Sequence, residues 1–305
     1  MSFLDRVHSR ARRAGRRILL PEGGEPRVQE AARRLREGRL GTVELLGDVR
    51  QDPRLAACAR LLCERKPDRF ASTTAAMTAL EHPLTFGACL VALGAADVMV
   101  GGAAHPSADT IRAALWSVGT APGIASVSGA VYMVRDERVL TFADCAVIPE
   151  PTPSQLADTA VAAARDRRRI VGDEPVVAFL SYSTRGSAAG PPVARVEEAV
   201  AVLARRRPDF AFDGELQADA ALMADVAARK ALGSSAAGRA NVLIFPDLDS
   251  GNIAYKLVQR LGEWSALGPV LQGLARPVAD LSRGATVDDI VNTAVVAVLQ
   301  GEEQA

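Results

Sequence analysis

Aromatic side chains make up only 4% of this sequence, too few for the stacked-ring platforms that bind single-stranded nucleic acid. Cysteine is scarce as well. Cys58, Cys63, Cys89 and Cys145 lie in apolar or helical surroundings without CxxC or metal-ligand spacing, and read as small buried hydrophobes. The only histidines are His8, His82 and His105, none with a second ligand at helical spacing, so no zinc site or other metal is expected. The formal net charge is zero, which removes any overall basic field for nucleic acid. No apolar run reaches the roughly 20 residues of a membrane span, and no secretory apolar segment follows the arginine-rich start. The expectation is a cytoplasmic protein with neither a nucleic-acid nor a membrane partner.

What is present is aliphatic. Hydrophobic residues are 49% of a 305-residue chain, enough for two domains with their own cores, and the abundance of Ala, Val, Leu and Arg suits helices packed on an aliphatic sheet. Arg6, Arg10, Arg12, Arg13, Arg16 and Arg17 crowd the first turns, where Phe3, Leu4 and Val7 supply one apolar face of a solvated helix. Residues 17–20 form a buried-strand pattern, Glu22-Gly23-Gly24 a loop, and Val28, Ala31, Ala32 and Leu35 the inner face of a helix. A strand at 42–47 and a helix at 53–66 repeat the order, so a parallel sheet is expected, with ligands outside the carboxyl ends of its strands. Arg65 and Lys66 close that second helix, where cations suit the helix dipole. Residues 84–94 read as a helix, and 96–100 as a strand running into Gly101-Gly102-Ala103-Ala104-His105. Ser107 then caps a helix that carries Arg112, whose ordinary partner is Asp109 at i−3.

Beyond residue 125 the pattern changes. Strands at 129–134 and 138–145 joined by Arg135-Asp136-Glu137 predict a β-hairpin. Ala121-Pro122-Gly123 breaks the preceding helix, which places one expected domain at 1–124 with 269–305 and a second at 125–268. A strand at 175–180 ends in a run where Ser183, Thr184 and Arg185 make a fair anion-holding loop, although Ser and Thr also fill plain turns. Phe212-Asp213-Gly214-Glu215 reads as an Asp-Gly turn before a helix with acidic first residues, which accounts for Asp213, Glu215 and Asp219 without a metal. A buried strand at 241–247 gives way to Ser250, Gly251 and Asn252 at the start of a helix, a recurrent anion-binding shape.

The stretch 268–289 is apolar and turn-rich until it delivers Ser282, Arg283 and Asp289 within eight positions. A hydroxyl, a guanidinium and a carboxylate so close together suit acyl transfer involving phosphate: the cation holds the anion, the carboxylate takes a proton, the hydroxyl bonds the polarised centre. Thr286-Val287-Asp288-Asp289 also precedes an apolar run at helical spacing, and on spacing alone the favoured reading is Thr286 as an N-cap with Asp289 as its capping-box partner. The two roles compete, because a helix N-terminus favours the charged form of a carboxylate and so weakens it as a base.

ILLPEG near the start, FADCAV at 142–147, FLSYSTRGSA at 179–188, DGELQADAA at 213–221, NVLIFPDLDSGNIAYKLVQRLG at 241–262 and GPVLQGLARPVADLSRG at 268–284 together resemble the phosphate acetyltransferase (phosphotransacetylase) family over nearly the whole chain. The resemblance implies reversible transfer of an acetyl group between coenzyme A and phosphate. It also implies an α/β fold of two α/β/α domains similar to isocitrate and isopropylmalate dehydrogenases, an active site in the interdomain cleft, and a homodimer. Coenzyme A and acetyl-CoA, acetyl phosphate and phosphate would be substrates, with no permanently bound cofactor. By motif matching, Asp289 would deprotonate the CoA thiol, Arg283 hold the phosphate and Ser282 stabilise the acyl centre. Arg65 and Arg112, the latter in an ADTxR motif, would contact CoA or acetyl phosphate, with the Ser183, Thr184, Arg185 and Ser250, Gly251, Asn252 loops as further substrate contacts. Arg185 stands where the family commonly has lysine, Ala254 where glycine is common, and Pro67-Asp68-Arg69-Phe70 replaces a lysine-glycine continuation.

A free thiol titrates near pH 8.5, so a nearby carboxylate helps to expose the thiolate, and direct attack in a ternary complex needs no cysteine nucleophile. A propionyl- or butyryl-specific phosphate acyltransferase shares fold and chemistry, but butyryl-transferring relatives lack the DGELQ-type segment. One methylene is worth only about 1–3 kcal/mol in a pocket, which leaves acyl length open. A non-catalytic acyl-CoA-sensing module is the alternative of a different class, set against an intact Ser282, Arg283 and Asp289. A nicotinamide dehydrogenase on the same fold lacks its GxGxxG fingerprint here. Without the long N-terminal extension of larger relatives, simple saturation kinetics is expected.

Overall fold

The computed structural model describes residues 2–302. The backbone gathers into two compact units, one running to Pro122 and resuming at Gly268, the other Gly123–Leu267.

The first unit opens with α1 (Phe3–Ala14), whose Phe3, Val7 and Ala11 are buried one helical turn apart while Ser2 and Asp5 close a capping box at its head. The expected amphipathic helix is therefore present. There follow β1 (Arg17–Leu20), α2 (Pro26–Glu37), β2 (Thr42–Leu45), α3 (Leu55–Arg65), α4 (Thr73–Leu80), α5 (Pro83–Ala92), β3 (Val98–Gly101) and α6 (Ser107–Ser117).

The second unit holds β4 (Ser128–Arg135), β5 (Arg138–Ala143), α7 (Pro153–Ile170), β6 (Val176–Leu180), α8 (Pro191–Arg205), β7 (Ala211–Leu216), α9 (Ala218–Leu222), α10 (Ala224–Lys230), β8 (Val242–Ile244) and α11 (Leu248–Leu261). The chain returns through β9 (Ser265–Gln272) to β10 (Val278–Asp280) and α12 (Val287–Gln300).

In the first unit the strand order is β2-β1-β3-β10-β9. β1 pairs in parallel with β2 and β3, and β3 with β10, while β10 meets β9 antiparallel through Ala279 and Val270. From β1 the chain steps to β2 on one side and then to β3 on the other. The order thus reverses between β1 and β3, the kind of switch point outside whose carboxyl strand ends α/β folds bind ligands. α12, with Ile290, Ala294, Val295 and Val298 buried, packs against α1, α2, β3 and β10.

The second unit has the order β4-β5-β8-β6-β7. β4 and β5 form the expected antiparallel hairpin, registered from Ala130↔Ala143 to Arg135↔Arg138, and β5, β8, β6 and β7 run parallel. Arg167 of α7, only 2% exposed, braces this sheet by donating to Asp173 and to the carbonyls of Val139 and Asn241. Among the described residues no single helix is long and apolar enough to cross a membrane.

Three local expectations are corrected. Ser107 is the first residue of α6 and not its cap, because Pro106 holds the N-cap position with no side-chain cap bond. Asp213-Gly214-Glu215 is not a turn; it lies inside β7, where Asp213 pairs with Ala178 of β6 and the register shifts before Leu216 pairs with Leu180. Ser250 does not start the helix after β8 either, because α11 begins at Leu248 with Asp247 as its N-cap, accepting from the Ser250 N–H at 2.8 Å.

Candidate active site

Three parallel strands of the first unit end together. Just past β1 stands Glu22, past β3 the loop from Gly102 to His105, and past β10 the turn that carries Ser282 and Arg283. Ser282 Oγ accepts from the Gly284 N–H at 3.2 Å, and its carbonyl from the Ala285 N–H at 2.8 Å, which curls the turn back on itself. Both Ser282 and Arg283 are exposed. Among the described residues the Arg283 guanidinium makes no hydrogen bond or ion pair, so this cation is available to an anion.

Arg27 of α2 fixes the turn from behind. Its guanidinium donates to the carbonyls of Arg283 (2.9 Å), Ala285 (2.7 Å) and Ala103 (2.9 Å). Asp289, part-exposed at the head of α12, takes the Thr286 N–H and hydroxyl on Oδ2 at 2.8 Å each, completing the capping box that its spacing allowed. Oδ1 is left over.

Asp280, the last residue of β10, is 1% exposed and its Oδ1 has no hydrogen-bond partner. Burial pushes its carboxyl up to about 6, against the opposing pull of the nearby Ser107 and Thr110 side chains. Thr110 Oγ1 is likewise buried and unpartnered. Close beside it, Gly102 at φ +101° has no room for a side chain, since an added Cβ would fall 2.6 Å from Asp280 Oδ1.

Arg65 and Arg112 both belong to this unit. Arg112 pairs with Asp109 at 2.9 Å, the ordinary i−3 ion pair, and its guanidinium lies 5.8 Å from the Trp116 ring. Arg65 donates at 2.5 Å to the carbonyl of Val118, the C-cap of α6. It therefore complements the C-terminal end of α6, a helix other than its own.

In the second unit the loop after β6 is held by β7. The contacts come from Asp213 and Glu215 of β7, beside an irregularity in its pairing with β6, and from Gln217 just past it. Asp213 pairs with Arg185 at 2.5 Å, Glu215 accepts from Ser183 Oγ at 2.7 Å and from the Gly186 N–H at 2.9 Å, and the Gln217 N–H donates to Thr184 Oγ1 at 2.8 Å. Ser183 and Thr184 are buried, with their hydroxyls engaged by Glu215 and Gln217; of the three, the Arg185 side chain, 46% exposed, reaches solvent.

On α11, Asn252 Nδ2 donates to the Cys145 carbonyl at 3.0 Å, and Ser250 Oγ to the Asp247 carbonyl at 2.9 Å. Gly251 lies so close to the strand end that an added Cβ would stand 2.1 Å from the Asp144 carbonyl oxygen. Helix packing accounts for this glycine, and the Asp247 carboxylate occupies the N-terminus expected to receive an anion.

The chain matches the family described as "Phosphate acetyl/butaryl transferase" over residues 2–298. It belongs to that family. It is 43% identical to the phosphate acetyltransferase of Paracoccus denitrificans, covering 98% of this chain and 99% of that one. It is 42% identical to the phosphate acetyltransferase of Escherichia coli over 96% of this chain, but spans only 44% of the length of that longer relative. A phosphotransacetylase from Streptococcus pyogenes superposes with a TM-score of 0.90 at 38% identity, covering 97% of this chain and 98% of that one. The mixed α/β fold of this family is the fold seen here.

Reading residues one at a time missed Glu22, Arg27, His82, His105 and Asp280. Spacing along the chain tests a histidine only as a metal ligand. An acid just past one strand end and an imidazole just past another were the signals that marked Glu22 and His105.

Proposed function

We propose that this chain is a phosphate acetyltransferase, interconverting acetyl-CoA plus phosphate with acetyl phosphate plus CoA by direct attack in a ternary complex. The observation that carries the reading is the exposed, unpaired Arg283 beside Ser282, braced by Arg27 at the strand ends of a family member matched over residues 2–298. Arg283 binds the phosphate, Ser282 donates to the acyl oxygen as negative charge develops there, and Asp289 exchanges the thiol proton through its free Oδ1. Arg65 and Arg112 bind CoA or acetyl phosphate, and Arg112 has to exchange Asp109 for the ligand to do so.

The loops bearing Ser183, Thr184 and Arg185 and bearing Ser250, Gly251 and Asn252 bind substrate in the same reading, Arg185 by its side chain and the others through backbone groups. Two folding domains at 1–124 with 269–305 and at 125–268, kinship to the isocitrate dehydrogenase fold, a cleft site, a cytoplasmic setting, and small molecules as the only ligands rest on the resemblance. For a homodimer, the exposed Ile253, Leu257 and Leu261 on one face of α11 supply an apolar surface.

The test is phosphate-dependent release of free thiol from acetyl-CoA, with propionyl-CoA and butyryl-CoA alongside and no metal added. Fastest release from acetyl-CoA is expected. A folded protein that binds CoA and releases none is instead a sensing module.

A further inference from the structure

Glu22 accepts the backbone N–H groups of Gly102 and Ala103 on Oε2 and that of Ala104 on Oε1, each at 2.8 Å, and Oε1 lies 2.7 Å from His105 Nδ1. With both carboxylate oxygens acting as acceptors, Nδ1 carries the hydrogen of that contact, and Nε2 is left to take up or release a proton. A carboxylate that fixes the tautomer and orientation of an imidazole is a recurrent device of acid–base catalysis. The Glu22 side chain is 3% exposed and that of His105 31%, so the orienting group is sealed while the ring reaches solvent. Both line an open cavity of about 830 Å³ at the carboxyl ends of β1 and β2.

The Arg27 guanidinium that holds the Arg283 carbonyl also holds that of Ala103, in the same loop as His105. One cation therefore ties the imidazole loop to the turn that presents the unpaired arginine.

We propose that His105, oriented by Glu22, is the acid–base group for the phosphate substrate, an assignment that rests on the phosphate acetyltransferase reading above. In acetyl phosphate synthesis an oxygen of hydrogen phosphate attacks the thioester carbonyl carbon. As that C–O bond forms, the phosphate O–H proton passes to His105 Nε2. The tetrahedral adduct then expels sulfur with the C–S electron pair, and the thiolate takes a proton that Asp289 has drawn from solvent. The imidazolium returns its proton to solvent through the open cavity, and no electron changes hands.

Several titratable and charged groups surround the ring. Glu22 faces it from just past β1, and His82, ahead of α5, lies against it with ring centroids 4.7 Å apart and the planes tilted by 55°. Burial, then the neighbouring His105, hold His82 below its ordinary range. Its Nδ1 accepts the Leu84 N–H at 3.3 Å, and its Nε2 lies 3.7 Å from Asp109 of α6, itself paired with Arg112. Glu81 and Arg50 stand elsewhere around the cavity, and Asp280 lies on the β10 side of Glu22.

The experiment compares the full-length wild type with His105→Gln and Glu22→Gln, using acetyl-CoA and inorganic phosphate between about pH 6 and 9. His105→Gln is expected to lower kcat about 100-fold, to leave KM for acetyl-CoA within a few-fold, to lose the acid limb of kcat/KM for phosphate, and to regain rate with added imidazole. Glu22→Gln keeps the ring but loosens it, giving an intermediate loss with a displaced acid limb. A folded His105→Gln within a few-fold of wild type overturns the proposal. So does a slow one with an unaltered pH profile and no imidazole rescue, because the ring is then structural. If Glu22→Gln does not fold, His105→Gln alone decides. Wild type without phosphate-dependent thiol release overturns the underlying reading, and the proposal with it.

Discussion

Asp289 and Thr286 hold each other at the head of α12. The Thr286 N–H and hydroxyl both donate to Asp289 Oδ2 at 2.8 Å, and the Asp289 N–H returns a bond of 3.2 Å to Thr286 Oγ1. Only one carboxylate oxygen is engaged, so the cap that the spacing implied does not preclude acid–base work by the other.

Two variants separate these roles. Thr286→Ala removes the N-cap hydroxyl and keeps the carboxylate, whereas Asp289→Ala keeps that hydroxyl and removes the carboxylate with its return bonds, and each is expected to cost about 1 kcal/mol of stability. Only Asp289→Ala should lower turnover by about 100-fold or more. Melting curves and thiol-release rates on the pair decide it: equal loss of turnover in both variants would mean that Asp289 acts only by ordering α12.

Gly251→Ala probes a contact with no slack. The added methyl would stand 2.1 Å from the Asp144 carbonyl oxygen. That backbone cannot retreat easily, since the Asp144 side chain accepts from the N–H groups of Gly129, Ala146, Val147 and Ile148. The helix must move instead, at about 1–3 kcal/mol. Urea denaturation measures this, and a variant as stable as wild type would remove the packing explanation and return Gly251 to a purely ligand-facing role.

Local patterns were legible and distant pairings were not. The hairpin of β4 and β5, the alternation of β1, α2 and β2, the buried face of α1 and the Thr286 cap each depend on neighbours within a few positions. Asp213-Gly214-Glu215 has the composition of a turn, yet becomes strand because β6 pairs on either side of it, at Asp213 and Leu216, and because Asp213 and Glu215 bond to Arg185 and Ser183. β10 is only three residues long, Val278–Asp280, too short for alternation to mark, and exists through its register with Met99, Val100 and Gly101. Glu22 and His105 lie 83 positions apart, so their contact is a product of topology. The chemistry proposed for Ser282, Arg283 and Asp289 was legible from their types and spacing, whereas the bracing of the Ser282–Arg283 turn by Arg27 was not.

Arg27→Lys keeps the charge and loses the fork. A lysine ammonium is a point donor and cannot span the carbonyls of Ala103, Arg283 and Ala285 as the planar guanidinium does. The Ser282–Arg283 turn should loosen, raising KM for phosphate about 10-fold, the size of one lost charge-assisted contact, with little change in KM for acetyl-CoA. Initial rates at varied phosphate check this, and an unchanged KM for phosphate would disconnect the brace from the anion site.

Asp280 carries a stability cost that depends on pH. Burial raises its carboxyl from 3.8 to about 6 in the folded state, so the native protein holds this proton more tightly than the unfolded chain does. Below about pH 4 both states are protonated and there is no penalty. Between about pH 4 and 6 the unfolded chain ionises first and stability falls; above that the full difference, about 3 kcal/mol at 1.36 kcal/mol per unit, is lost. Asp280→Asn keeps the shape without the charge. It should therefore exceed wild type in stability at pH 7 by up to about 3 kcal/mol and match it closely at pH 4. Chemical denaturation at the two pH values gives the answer. A difference that does not change with pH would mean that Asp280 is ionised at little cost, its unpartnered oxygen satisfied by ordered water.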